Sequence, residues 1–313
     1  MPLNAIERPL GIMIHYFHDR IRFMQGQGTL TAYNFERILD SIGHDRILNA
    51  EEWVSRARTD RLAPGDVCLT FDHALYCQYT LALPILRQRG LTAIWFVCTA
   101  ALTGTPPPLE AFRRFRCEYF KRVEDFYAAF FHAADTQFPG GRVHRALDDF
   151  PDDYLAEFTF YSVMDRKFRY LRDRVLGPGD YVEIMNRAIE SRGLAVKDLS
   201  NGIWLEDKLI RALRTEGHVI GLHSHSHPML IERESPETQY AEYKTNRDVL
   251  TDILGEPPTT MSHPNNSYSN VTLDILRGLG IELGFRSNTK MDGGSLLELP
   301  RIDVADIRYF GGT

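Results

Sequence analysis

Six short apolar runs constrain the chain before any single residue is considered: "GIMIHYF", "DVCLTFD", "TAIWFVC", "HVIGLHS", "TTMSHP" and "IELGFRS". Most are separated by stretches with helical spacing, and a strand that reaches its neighbour through a helix lies parallel to it. The expected fold is therefore α/β, with a parallel sheet or barrel. Thr31 and Gly43 bracket the first helical stretch as N-cap and terminator. The stretches "YTLALPILRQRG", "WLEDKLIRALRTEG", "SPETQYAEYKTNRDVLTDILG" and "SNVTLDILRGLG" also end in glycine and hand the chain to a strand.

From about 105 to 200 this rhythm breaks. Segments such as "EAFRRFRCEYFKRVEDFYAAFFHAAD" are rich in aromatics and charges, with helical periodicity and almost no β-branched runs. The region reads as a helical insertion that folds because its aromatics need burial. The expected organisation is one barrel domain over 1–313 carrying this insertion. A chain of 313 residues with 43% apolar and 11% aromatic content can bury such a core.

The formal charge is −6, and lysines and arginines are scattered rather than clustered, which argues against nucleic acid or an anionic membrane as partner. No basic leader followed by an apolar segment and no run of about 18 apolar residues is present, so the expectation is a soluble cytoplasmic protein. Cys68, Cys77, Cys98 and Cys117 form no CxxC pair and read as free thiols of a reducing compartment.

Three strand ends carry unusual polar groups: Asp72-His73, "GLHSHSHPM" and "MSHPNNSY". Five of the 11 histidines lie in them. In α/β barrels the C-terminal strand ends face the active site. His223 and His227 are four apart, which on a helical turn puts both imidazoles on one face. A histidine-rich turn is also what a solvated surface loop looks like. With His73 as third ligand the set becomes three imidazoles and an open fourth position, the pattern of a catalytic zinc site rather than a structural one. Asp72 reads either as a reacting carboxylate or as the N-cap of the next helix.

"LTFDHA", then "LPILRQRGLTAIWFV" and "EGHVIGLHSHSHP", resemble the first two motifs of the polysaccharide deacetylase superfamily, carbohydrate esterase family four. The resemblance implies a distorted (β/α) barrel and one divalent metal ion, most commonly zinc. It assigns Asp72 as general base, and His223 and His227 as metal ligands. His73 stands where the family has a metal-binding aspartate. Exchanging a carboxylate for a neutral ring raises the charge of the centre by one and acidifies bound water further. Ser262 stands where the family's third motif has the arginine that orients the base. A variant branch associated with surface polysaccharides is closer still, through His15, His18-Asp19, Gln27-Gly28, "MSHPNNSY" with Asn265, and "PRID".

The family draws its general acid from a late histidine, and nothing beyond His263 fits here. His263 is therefore the first candidate acid, with His15 and His18 next. Arg301 and Asp303 either replace the missing orienting pair for Asp72 or form a buried ion pair. His225 is expected to point away from the ligands, and Ser224 to brace the loop. Asp72 is treated as a polar strand end whose replacement by Asn leaves the fold unchanged.

The implied activity is metal-dependent removal of an N-acetyl or N-formyl group from an amino sugar. The substrate would be a nucleotide- or lipid-linked or surface-polysaccharide precursor. The alternative is a catalytically degenerate relative that binds a glycan without turnover. A barrel enzyme of unrelated chemistry would need a phosphate loop near the last strands, for which "MDGGS" at 291–295 is the one hint. Oligomeric state is not legible.

Overall fold

The computed structural model describes residues 8–138, 140–156, 161–290 and 294–307. The chain divides into two compact units, Met1–Pro107 with Gly202–Thr313, and Pro108–Asn201.

The first unit holds the strands β1 (Leu10–Ile14), β2 (Tyr16–Phe17), β3 (Thr29–Leu30), β4 (Val67–His73), β5 (Ile94–Val97), β6 (Val219–Leu222), β7 (Thr260–Ser262), β8 (Leu283–Phe285) and β9 (Arg301–Asp303). Seven form one sheet in the order β8-β7-β6-β5-β4-β1-β9, all neighbours parallel. Leu299, just before β9, exchanges backbone hydrogen bonds with Gly284 and Arg286 around β8, each 2.8 Å long. This link nearly closes the sheet into a barrel, as expected.

Helices α1 (Ala32–Ile42), α2 (Ala50–Arg58) and α3 (Leu83–Arg89) precede the insertion. Thr31 caps α1 by accepting the Asn34 N–H, and Gly43 ends it at φ 90°. The stretch read as one helix before Gly90 starts as a π-helical turn, Gln78–Ala82, and only then becomes α3.

Strand alternation divides the core. Leu69, Phe71 and Trp95 pack outward with the helices, Phe71 stacking on Trp95 at 4.4 Å. Cys68, Ile94, Phe96 and Phe285 form a separate interior cluster, joined by Trp53 from α2. Burying each such side chain contributes roughly 1.5–3 kcal/mol. By the same period of two, Thr70 and Asp72 fall on the interior side of β4. Gly11 on β1 is required there, because a Cβ would lie 2.9 Å from Cγ of Arg301.

The second unit contains α4 (Pro108–Glu118), α5 (Val123–Gln137), α6 (Arg142–Asp148), α7 (Val163–Tyr170), α8 (Pro178–Glu190) and α9 (Val196–Ser200). They surround their own core of Phe112, Phe115, Phe126, Phe130, Phe168 and Tyr181. Its limits, 108–201, lie close to the expected 105–200. Helices α10 (Asp207–Thr215), α11 (Pro236–Leu254) and α12 (Asn270–Gly278) complete the first unit.

The four cysteines are free. Among the described residues no helix is long and apolar enough to cross a membrane. Residues 291–293 of "MDGGS" lie outside the described residues.

Candidate active site

β4 and β5 run in register with Asp72 opposite Phe96 and His73 opposite Val97. At the end of β4 the backbone turns sharply, with His73 at φ 76° and Ala74 at φ 59°. These are left-handed values that L-residues hold only when the surroundings enforce them.

The loop after β6 is not a helical turn, which corrects the expectation for the His223/His227 spacing. Two left-handed residues, Ser224 at φ 57° and His227 at φ 58°, curl the chain instead. Ser224 Oγ accepts the His227 N–H at 3.1 Å, bracing the loop as expected. Glu242 on α11 accepts the N–H groups of His225 and Ser226. Asn246, one helical turn on and fully buried, accepts the His223 N–H at 3.0 Å and donates to the Val97 carbonyl and Thr99 Oγ1. His225 turns away, its Nδ1 lying 2.9 Å from Thr99 Oγ1.

These two strand ends bring His73, His223 and His227 together. One ring nitrogen from each lies within 4.8 Å of the others. Ring centroids are separated by 5.2 Å for His73 and His223, 4.8 Å for His73 and His227, and 4.9 Å for His223 and His227. Three imidazoles in such a cluster suit a zinc-type ion.

The tautomer of His223 follows from its partners. Its Nδ1 lies 3.0 Å from the Ser262 carbonyl, which can only accept, so Nδ1 carries the hydrogen and Nε2 the lone pair. Burial pushes the His223 imidazole well below its ordinary pKa and keeps it neutral, as a ligand must be. Ser262 Oγ lies 2.7 Å from the same Nδ1 and donates to Asp72 Oδ1 at 3.3 Å.

Asp72 is buried and does not cap a helix. Arg301, fully buried on β9, donates to it twice, at 2.6 and 2.9 Å, and also donates through Nε to the Arg286 carbonyl at 2.6 Å. Burial alone would raise the Asp72 carboxyl, but Arg301, with His223 and His15, overrides this and holds it well below the usual carboxylate range. The orienting cation missing from β7 thus arrives from β9. Asp303, two residues on, is not part of that lock. Its Oδ1 accepts the Ala305 N–H at 2.8 Å, and desolvation pushes its carboxyl up to about 6.

His263 is the clear correction. Its neighbour Ser262 bonds Asp72 and His223, but His263 is 1% exposed, stacks on Tyr268 at 4.1 Å and places Nε2 2.8 Å from the Leu297 carbonyl. A ring with no solvent-facing surface cannot meet a leaving group. His15, ranked behind it, stays partly exposed: Nε2 is 3.6 Å from Asp72 Oδ2, with 22% of the side chain exposed. Its ring meets that of His73 edge-on at 5.4 Å. His18 is buried and lines a cleft with Arg20, Thr31 and Leu81. Asn265 is exposed at φ 52° and donates weakly to the Met229 carbonyl at 3.4 Å.

Sequence reasoning missed Asn246, Glu242 and Gln78. Asn246 had a signal: it interrupts the buried stripe Gln239, Tyr243, Asn246, Leu250, Ile253 of α11 with an amide.

Residues 178–284 match the family profile described as Polysaccharide deacetylase. The chain superimposes on a Streptococcus pyogenes deacetylase, PplD, solved with acetate, at TM-score 0.56 and 18% identity, over 95% of this chain and 92% of that one. The profile match covers 107 of the 313 residues and makes that span similar to polysaccharide deacetylases. A de-N-acetylase from Aggregatibacter actinomycetemcomitans gives TM-score 0.55 at 11% identity, over 98% of this chain and 97% of that chain. IcaB from Ammonifex degensii gives 0.55 at 13%, over 95% and 94%. At these identities the likeness is one of fold. No curated protein matches by sequence. The span matched by the profile includes His223, His227 and Ser262 but neither Asp72 nor Arg301.

Proposed function

We propose that this chain is a metal-dependent hydrolase that removes an N-acetyl or N-formyl group from an amino sugar. The carrying observation is the juxtaposition, at one end of the barrel, of three imidazoles within 4.8 Å of one another and a carboxylate locked by a buried arginine. His73, His223 and His227 would hold one divalent ion. Bound there, such an ion supplies a Lewis acid that polarises the acyl carbonyl and acidifies water.

Asp72 accepts the proton of the attacking water. Its pairing with Arg301 through both oxygens keeps it ionised and holds the carboxylate plane in place. Ser262 holds Asp72 and His223 in common register through one hydroxyl. His15 donates a proton to the departing amine, completing the exchange of an amide for a carboxylic acid and an amine.

The substrate follows the sequence reading, a nucleotide- or lipid-linked or surface-polysaccharide precursor. Loss of the motif-three arginine favoured a non-catalytic glycan binder, but Arg301 restores a guanidinium to Asp72. Zinc-loaded protein should release acetate from N-acetylglucosamine oligomers or UDP-N-acetylglucosamine, and chelated protein should not. Stoichiometric zinc with no acetate or formate released from any N-acylated sugar would favour the binder.

A further inference from the structure

Gln78 lies in the π-helical turn that follows β4, fully buried. Its Oε1 accepts the Leu75 N–H at 2.9 Å. Its Nε2 donates to the Asp72 carbonyl at 2.8 Å and to the His15 carbonyl at 2.7 Å. Both hydrogens of the amide are thereby used, so its orientation is fixed: a flipped amide would turn oxygen toward two carbonyls.

The two bonds to Asp72 and Leu75 bracket the left-handed pair His73 and Ala74 from either side. One side chain therefore closes the turn that presents His73, while its third bond ties that turn to the end of β1, where His15 stands. Strained backbone of this kind persists only where neighbouring bonds over-determine it. Leu205, whose N–H bonds the Ala74 carbonyl at 3.0 Å, adds a further tie but touches neither Asp72 nor His15.

We propose that Gln78 is a positioning residue that sets His73, Asp72 and His15 relative to one another by stapling the left-handed turn to β1. The proposal rests on the metal-site reading given above. Neither Glu nor Met can replace the amide: Glu keeps the acceptor but loses both donors when ionised, and Met keeps the length and loses all three bonds.

The test uses full-length Gln78→Glu and Gln78→Met beside the wild type. Zinc affinity is read by chelator competition, the visible spectrum with cobalt, thermal melting, and kcat and KM for acetate release. Both variants should fold, bind zinc about 10- to 100-fold more weakly, as loss of an outer support does, and show an altered cobalt spectrum. kcat should fall at least tenfold while KM stays within about threefold, as expected when reacting groups are displaced but sugar contacts are kept. Wild-type zinc affinity, cobalt spectrum and kcat in both variants would overturn the proposal. Failure of both variants to fold would also overturn it, by making Gln78 a folding residue. A wild type that binds zinc but releases no acetate would sink the deacetylase reading alone, because the zinc and cobalt measurements still decide the role of Gln78.

Discussion

Arg301 and Asp72, 229 residues apart in the chain, meet in two parallel hydrogen bonds of 2.6 and 2.9 Å. The guanidinium is fully buried, so removing either partner leaves an uncompensated charge in the barrel. Arg301→Met should destabilise the protein by about 3–5 kcal/mol. The double variant Arg301→Met with Asp72→Asn should regain most of that loss. Denaturant unfolding measures both, and a single-variant cost under about 1 kcal/mol would show that the pair is not coupled as drawn.

Asp72→Asn should keep the metal and lower acetate release by roughly 10²- to 10⁴-fold, the usual worth of a general base. The ion pair also overturns the expectation that this change spares the fold, because it strands Arg301. The melting temperature should fall. Turnover within about threefold of wild type would remove Asp72 from the chemistry.

His73→Ala, His223→Ala and His227→Ala should each lose stoichiometric metal, since two imidazoles cannot fill a tetrahedron. His225→Ala should retain it, because that ring faces Thr99. Elemental analysis of the four variants decides the ligand set. Full metal content in His73→Ala would leave the β4 position without a ligand role.

His15→Gln and His263→Gln should behave in opposite ways. The first should lower kcat by roughly 10²-fold or more with melting unchanged. The second should leave kcat nearly intact and cost about 1–3 kcal/mol of stability, through a disturbed buried polar group. The reverse pattern would return the acid role to His263.

His218 supplies a pH dependence remote from the clustered His73, His223 and His227. Its Nδ1 accepts the Ala93 N–H at 2.9 Å and the Trp95 Nε1–H at 3.2 Å, and burial pushes the imidazole down to about 4. An unfolded chain therefore binds a proton there that the folded one refuses. The stability involved is complete above the ordinary histidine range near 6.5 and is lost as the pH falls toward 4, on the order of 3 kcal/mol in all. His218→Asn keeps an acceptor at the Nδ1 position and should flatten the slope of unfolding free energy between pH 6.5 and 4. An unchanged slope would assign it to other groups.

The alternation of strand and helix was legible because each strand end is punctuated by glycine or polar residues. Helix α2 was not: its buried face is only Ala50, Trp53, Val54 and Ala57, too short a pattern to stand out from a loop. β9 was read only as a motif, because three residues are too few to show strand alternation. The candidate metal ligands were visible because histidines at strand ends are rare and chemically marked. Gln78 was invisible as a site residue because it acts on backbone carbonyls and an N–H group, which no residue pattern reports, whereas Asn246 showed only as an amide in the buried stripe of α11. His263 misled for the same reason: its partner is the Leu297 carbonyl, and burial, not spacing, determines what its ring can meet.

β9 is the strand that nearly completes the barrel, and it carries the only side chain seen to neutralise Asp72 by a paired hydrogen bond among the described residues. During folding, then, the carboxylate waits for its cation until a contact spanning most of the chain has formed, and such distant contacts form slowly. Until that moment Asp72 favours a hydrated, open interior; afterwards it favours a sealed one. Closure of the barrel and neutralisation of its buried acid are therefore tied together through the one strand that carries Arg301.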